Sequence, residues 1–408
     1  MNKLEKYARL LVEVGLNVQK GQTVIIAAPV ECAAFARMCA SAAYAVGCRE
    51  VIMDWGDDYL ARQKYLHAAD EVFDEVPEWR KNFYNGYARQ GAGFLRISAS
   101  DPENLKGVDP GRLRRASIAS GAALSEYRNA VTNNGTPWCI ASVPIPSWAK
   151  KVFPDAKTEQ EAMEKLWEKI FAAVRVEDET DPVQLWHEHI QRLSYYRDKL
   201  TEYNFKYLHY TNSLGTDLMV ELPENHFWAA GSEISKGGIE FVANMPTEEI
   251  FSAPKFDGVN GKIVASMPLV KDGNIIDNFY MILKDGKIVE VHAEKGEEIL
   301  KNAISIDEGA SYLGEVALVP YDSPIQNSKT LFYSTLFDEN AACHFAFGEA
   351  YPMVKGSDEM TPEEQKAHGL NISKTHVDFM IGTADLNIVG ITHDGEKIPV
   401  FVNGNFAF

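Results

Sequence analysis

Apolar residues recur at helical spacing over 4–18, and then the period changes. The next apolar run, 23–27, is short and continuous, bounded by Gly21 and Pro29, which is the pattern of a buried strand. An alanine-rich helical stretch over 32–46 leads to a second such run over 50–55. Two more follow at 94–98 and 138–142, with a helix predicted over 112–132 between them. This alternation predicts a parallel sheet covered by helices. Residues 158–174 and 182–203 read as two long polar helices that link this half to the next.

After residue 203 the texture shifts to period two. Segments 207–210, 218–222 and 262–267 read as antiparallel strands, and Lys284-Asp285-Gly286 and His393-Asp394-Gly395 as hairpin turns. Helices are expected again at 294–302 and 337–350. The fold class expected is therefore α/β. A parallel-sheet scaffold domain with its two linking helices spans 1–203, and an α+β domain of mainly antiparallel strands spans 204–408. There is no internal repeat and no low-complexity segment.

A chain of 408 residues exceeds what one core usually supports, in keeping with two domains. The formal charge of -18 repels polyphosphate, so neither nucleic acid nor an anionic membrane is expected as a partner. The first nine residues open an amphipathic helix rather than a signal peptide, and no run of about eighteen apolar residues exists to span a membrane. The five cysteines are odd in number and form no CxxC, which argues for reduced thiols in a cytoplasm. No GxGxxG follows the first strand and no GxxxxGK[ST] occurs; Gly91-Ala92-Gly93 is too short to count. Nucleotide binding is thus disfavoured and the first half reads as scaffold.

The chemistry concentrates in the second half. His376-Val377-Asp378 reads as a strand with imidazole and carboxylate on one face, spaced to reach one divalent metal. The plain alternative is a half-exposed strand. Glu315 follows Gly314 and enters the buried-strand pattern 316–319, where a carboxylate needs a partner or a metal. Thr247-Glu248-Glu249 offers two more carboxylates, although it also reads as a helix start capped by Thr247. His344 and Tyr351 are expected on one buried face of the 337–350 helix, two turns apart, where they could equally be satisfied core residues. His187-Glu188-His189 lacks the four-residue spacing of a helical zinc site and reads as surface. His67, His209, His226, His292, His368 and His393 are isolated.

Four runs in order then carry a resemblance: 244–251, 313–320, 340–351 and 376–382. Together with the opening 4–12, they resemble the thermophilic-type metallo-aminopeptidases (the aminopeptidase T and aminopeptidase S group) over nearly the whole chain. The resemblance implies a two-metal exopeptidase. Carried over residue by residue, Glu249, Glu315, His344, His376 and Asp378 would be the metal ligands and Tyr351 a catalytic phenol. Two divalent ions, Zn²⁺, Co²⁺ or Mn²⁺, suit this donor set. The remaining carboxylate, Glu248, would bind the substrate amine or act as general base. Peptides with a free N-terminus would be the substrates and a homodimer with enclosed sites the assembly, so short peptides would be favoured. Within hydrolases the competing reading is a dipeptidase or amidohydrolase on the same ligands. Outside enzymes it is a non-catalytic metal- or peptide-binding protein.

Overall fold

The parallel sheet expected from the first half is present; its inner strands are largely buried, while its edge strand over 50–56 is only partly covered. The structure is a computed structural model that describes residues 1–271 and 274–408. The chain divides into two compact units. Unit 1 comprises Met1–Glu188 with Ser232–Pro246; unit 2 comprises His189–Gly231 with Thr247–Phe408.

In unit 1, α1 (Lys3–Leu10) starts at a capping box between Asn2 and Glu5 and runs on through a π-turn at Leu11–Gly15. Strands β1 (Thr23–Pro29), β2 (Glu50–Gly56), β3 (Gly93–Ser98) and β4 (Trp138–Ser142) follow. Helices α2 (Ala33–Ala45), α3 (Asp58–His67) and α4 (Glu78–Arg89) connect them. The helix expected over 112–132 is two helices, α5 (Pro110–Ala123) and α6 (Ser125–Thr132), broken at Leu124, whose ψ of 24 leaves the helical region. Helices α7 (Pro146–Val152) and α8 (Glu159–Ala173) complete the run, and α9 (Pro182–Tyr203) passes from unit 1 into unit 2.

Two two-residue strands, β8 (Glu233–Ile234) and β9 (Glu240–Phe241), pair with each other, and β10 (Asn244–Met245) joins the main sheet. That sheet has the order β10-β4-β3-β1-β2, and every neighbouring pair is parallel. The chain leaves β1 for β2 on one side and returns to β3 on the other, so β1 marks a switch in strand order.

Unit 2 is built on two antiparallel sheets. The larger contains β5 (Tyr207–Thr211), β6 (Asp217–Glu221), β12 (Val259–Val264), β13 (Leu269–Lys271), β14 (Asn274–Lys284) and β15 (Lys287–Lys295). It continues through β19 (Asn387–Ile391), β20 (Lys397–Val402) and β21 (Asn405–Phe406). Lys284-Asp285-Gly286 does turn β14 into β15, with φ of 50 at Asp285 and 79 at Gly286, the left-handed pair that a two-residue hairpin requires. The smaller sheet has the order β18-β17-β16-β11-β7, from β7 (Ala229–Ala230), β11 (Ile250–Ser252), β16 (Leu313–Leu318), β17 (His344–Gly348) and β18 (His376–Met380). The two sheets share one core, in which Phe345 meets Tyr210 at 5.2 Å and Phe379 meets Phe279 at 5.8 Å between ring centroids.

Two sequence expectations fail here. Residues 337–350 are not a helix: a short helix (Thr335–Asp338) and a 3-10 turn (Glu339–Ala341) give way to β17. All five residues of β17 are buried, and an apolar run without alternation does not distinguish a buried strand from a buried helix. Thr247 caps no helix either; 247–249 is the irregular connection between β10 and β11.

Candidate metal centre

Strand register assembles the site. Glu315 on β16 stands opposite Ala346 on β17, which stands opposite Asp378 on β18. One row away, Ala317 is opposite His344, and Gly348 is opposite His376. Directly opposed residues share a sheet face. The four ligand-type side chains therefore project from one face, each beside an alanine or glycine that leaves room above it. Phe345, Phe347, Val377 and Phe379, alternate with them, face the core. Glu249 enters from the loop that feeds β11. Gly348, the last residue of β17, has φ of 108, and a Cβ there would lie 2.0 Å from the Thr375 carbonyl, so only glycine fits this position.

The distances define two groups that share one carboxylate. His344 Nε2 lies 3.3 Å from Glu249 Oε2 and 3.5 Å from Glu315 Oε1. His376 Nε2 lies 3.4 Å from Glu315 Oε2 and 3.1 Å from Asp378 Oδ1. Each set, Glu249-Glu315-His344 and Glu315-His376-Asp378, brings its ligand atoms within 4.8 Å of one another. Glu315 thus presents one oxygen to each histidine.

Both rings are oriented from behind. His344 Nδ1 donates to the Ala342 carbonyl at 3.1 Å, and His376 Nδ1 to the Glu349 carbonyl at 2.7 Å. A carbonyl only accepts, so Nδ1 carries a proton in each ring and Nε2 is the atom turned to the carboxylates.

The electrostatics follow from burial and mutual proximity. Burial alone would lower the pKa of both histidines; hydrogen bonds to Glu249 and Glu315, and to Asp378 and Glu315, outweigh it and raise both well above the usual value. Burial raises Glu249, whereas at Glu315 the two imidazoles overcome burial and hold the carboxyl low. Among the described residues, no Lys or Arg forms an ion pair with Glu249, Glu315, Asp378 or Glu339. Two imidazole nitrogens and several carboxylate oxygens without an internal cation fit a divalent ion of the zinc, cobalt or manganese type.

Tyr351 is not on a helix face with His344. It follows β17 in a loop, and its ring packs edge-on against His376 at 5.4 Å and near Phe251 at 6.0 Å. The residue is 42% exposed, yet its hydroxyl is set deep enough that burial, and then Glu315 and Asp378, push its pKa up. The phenol therefore stays protonated at neutral pH and is available as a donor.

Sequence reasoning missed two residues. Glu339 lies one residue before the run 340–351 that contains His344; burial, followed by Asp378 and Glu249, raises its carboxyl well above the usual range. His189, read as surface, is buried: its Nε2 lies 2.8 Å from the Thr247 carbonyl and 3.6 Å from Glu248 Oε2. The helical period of 182–203 places residue 189 on the face with Trp186 and Leu193, both 2% exposed or less, which is the signal that identifies it. His187 is exposed, as expected.

Comparison with known proteins shows where this constellation belongs. A profile of the thermophilic metalloprotease family M29 matches residues 1–406. The chain belongs to the M29 family of metalloproteases. It is 48% identical over 407 residues to aminopeptidase AmpS of Bacillus subtilis, covering 100% of this chain and 98% of that one. It is 41% identical over 408 residues to aminopeptidase T of Thermus thermophilus, covering 99% and 98%. The solved structure of the wild-type Thermus thermophilus enzyme superposes with a TM-score of 0.93 at 40% identity, covering 100% of this chain and 99% of that one. A dioxygenase from Pseudomonas putida, 10% identical with a TM-score of 0.57, shares the fold alone. The resemblance read from four motifs, the mixed α/β fold and the metallo-aminopeptidase class all stand on these matches. An M29 member requires a divalent metal, in agreement with the ligand clusters. Among the described residues, no helix is long and apolar enough to cross a membrane.

Proposed function

We propose that this M29 enzyme removes N-terminal residues from short peptides at a two-ion centre bridged by Glu315. The observation that carries this reading is the split of Glu315, with one oxygen toward His344 and the other toward His376. Glu249 and His344 would complete one ion's ligands, and His376 and Asp378 the other's. When bound, such a pair of ions supplies Lewis acidity and an activated water.

The protein's own groups do the rest. Tyr351, held protonated, donates a hydrogen bond to the oxyanion that develops on the scissile carbonyl. Glu339, which belongs to neither ligand set, sits among carboxylates that favour its protonated form while no cation is present; once cations neutralise those carboxylates it would ionise, take the proton from the attacking water and deliver it to the leaving amine. Glu248, expected from the sequence to bind the amine or act as base, is 1% exposed and faces His189, so we assign it to shaping the loop that carries Glu249. The acidic surroundings suit the substrate's ammonium group, which accounts for action at a free N-terminus. Family resemblance supports a homodimer whose enclosed sites admit short peptides. Five unpaired, buried cysteines support a reducing, cytoplasmic setting.

Turnover of a short unblocked peptide, its N-acetylated form and the same reaction after chelation tests this reading. Release of the first residue from the free peptide alone, lost on chelation and restored by Zn²⁺, Co²⁺ or Mn²⁺, is expected. Cleavage of the blocked peptide, or full activity in a metal-free sample, would overturn it.

A further inference from the structure

Unit 1 has a cavity of its own, about 630 Å³, over one face of the parallel sheet and beneath α4, α5 and α6. That volume is within the range of small-molecule sites. It reaches Pro29, Gly56 and Ser98, the carboxyl ends of β1, β2 and β3, and so lies at the switch in strand order around β1. Open α/β sheets bind ligands at this place. Small residues leave the space: Ala27 in the middle of the sheet, and Ser117, Ser120 and Gly121 on α5.

The charges in the cavity select a ligand. Arg96 projects from the middle of β3, opposite Ala27 on β1, which in turn is opposite Asp54 on β2. A guanidinium and a carboxylate thus face the same space across two strand spacings, about 10 Å. Among the described residues, neither Arg96 nor Arg128, which also lines the cavity, has an ion-pair partner. Asp54 Oδ2 accepts from the Tyr84 hydroxyl and lies 3.7 Å from Arg80, and neither contact uses Oδ1. Two more lining residues carry buried polar atoms that lack a hydrogen-bond partner, Trp138 Nε1 and Asp58 Oδ2. Phe94 and Trp138, opposite each other on β3 and β4, provide an aromatic floor.

A nucleotide does not suit these walls. The turn after β1 would have to cradle phosphate with glycine N–H groups, but it reads Pro29-Val30-Glu31, with no glycine, a proline lacking N–H and an added negative charge. A small zwitterion suits them: a carboxylate for the Arg96 and Arg128 forks, an ammonium for Asp54 and Asp58, and an apolar side chain for the aromatic floor.

We propose that this cavity is a binding site for a free α-amino acid or dipeptide with an apolar side chain. The aminopeptidase reaction would release molecules of this class, but binding here does not depend on the metal centre.

Calorimetric titration of the EDTA-treated full chain with L-phenylalanine tests the site. Saturable binding is expected, weakened at least about tenfold by Arg96→Gln, the loss expected for a charge-assisted hydrogen-bonded pair. N-acetyl-phenylalanine, lacking the ammonium, and phenylalanine amide, lacking the carboxylate, should each bind more weakly. Thermal unfolding checks that the variant is folded. If Arg96→Gln does not fold, Arg96→Lys and Arg128→Gln replace it, and each should show the same loss. No binding of L-phenylalanine up to about 10 mM, equal affinity in folded variant and parent, or tighter binding of inorganic phosphate or AMP would overturn the proposal.

Discussion

His189 Nε2 lies 2.8 Å from the carbonyl oxygen of Thr247 and donates to it, while Nδ1 accepts from Arg192 at 3.1 Å. This ties helix α9 to the residue two positions before Glu249. The loop that carries one candidate ligand is therefore fixed by a buried histidine that takes no part in the ligand set. The backbone N–H of Glu248 adds a second anchor by donating to Asn340 at 2.8 Å.

Removing the first anchor leaves a buried carbonyl without its donor. His189→Ala should cost about 1–3 kcal/mol of stability and lower metal occupancy through displacement of Glu249. His187→Ala, at an exposed position two residues earlier, should stay within about 0.5 kcal/mol and keep full metal content. Denaturant unfolding and elemental analysis of both variants decide this. Equal behaviour of the two would contradict the anchoring role.

His376→Ala and Asp378→Ala each remove a donor from the same group on β18. Metal content and peptidase activity should fall together in both. Unchanged metal content in the Asp378 variant would remove that residue from the ligand set.

For Tyr351, phenylalanine keeps the ring against His376 and deletes only the hydroxyl. At matched metal content, Tyr351→Phe should lower kcat by roughly 10²–10³ with little change in KM, as for loss of one oxyanion donor. Steady-state kinetics within a few-fold of the parent would show that the phenol is a packing group.

Metal uptake should release protons. Carboxylate hydrogen bonds outweigh burial and raise His344 and His376 well above 6.5, so in the metal-stripped protein both imidazoles are protonated at neutral pH. The sign follows from this. The stabilisation from these ion pairs is complete below the unfolded pKa and is lost as pH rises through the folded value. A cation must displace those protons, so apparent metal affinity should rise with pH across the neutral range. Titration in buffers of different ionisation heat should show release of at least about two protons per chain. No net release at neutral pH would contradict this charge state.

The two halves of the chain differed in how legible they were. The parallel strands could be read directly, because each is a short apolar run between turn residues and most lie within a residue or two of the expected span. The His376-Asp378 pair was equally clear, since β18 is half exposed and alternates. In β17 the same method fails: Phe345, Ala346 and Phe347 are all buried, so no alternation marks a strand, and His344 and Tyr351 were given a helical relation they do not have. Glu339 was hidden by the same error. Non-local register is what brings Glu315, Ala346 and Asp378 into one row, and no spacing along the chain encodes that row. The motif resemblance supplied the grouping that periodicity could not.

Anomalous diffraction from crystals soaked in Zn²⁺ or Mn²⁺ tests the central claim most directly. Two ions roughly 3.5–4 Å apart are expected, one on each oxygen of Glu315, the first also held by Glu249 and His344 and the second by His376 and Asp378. A single ion at full occupancy, or a pair that does not share Glu315, would contradict the bridged two-metal centre.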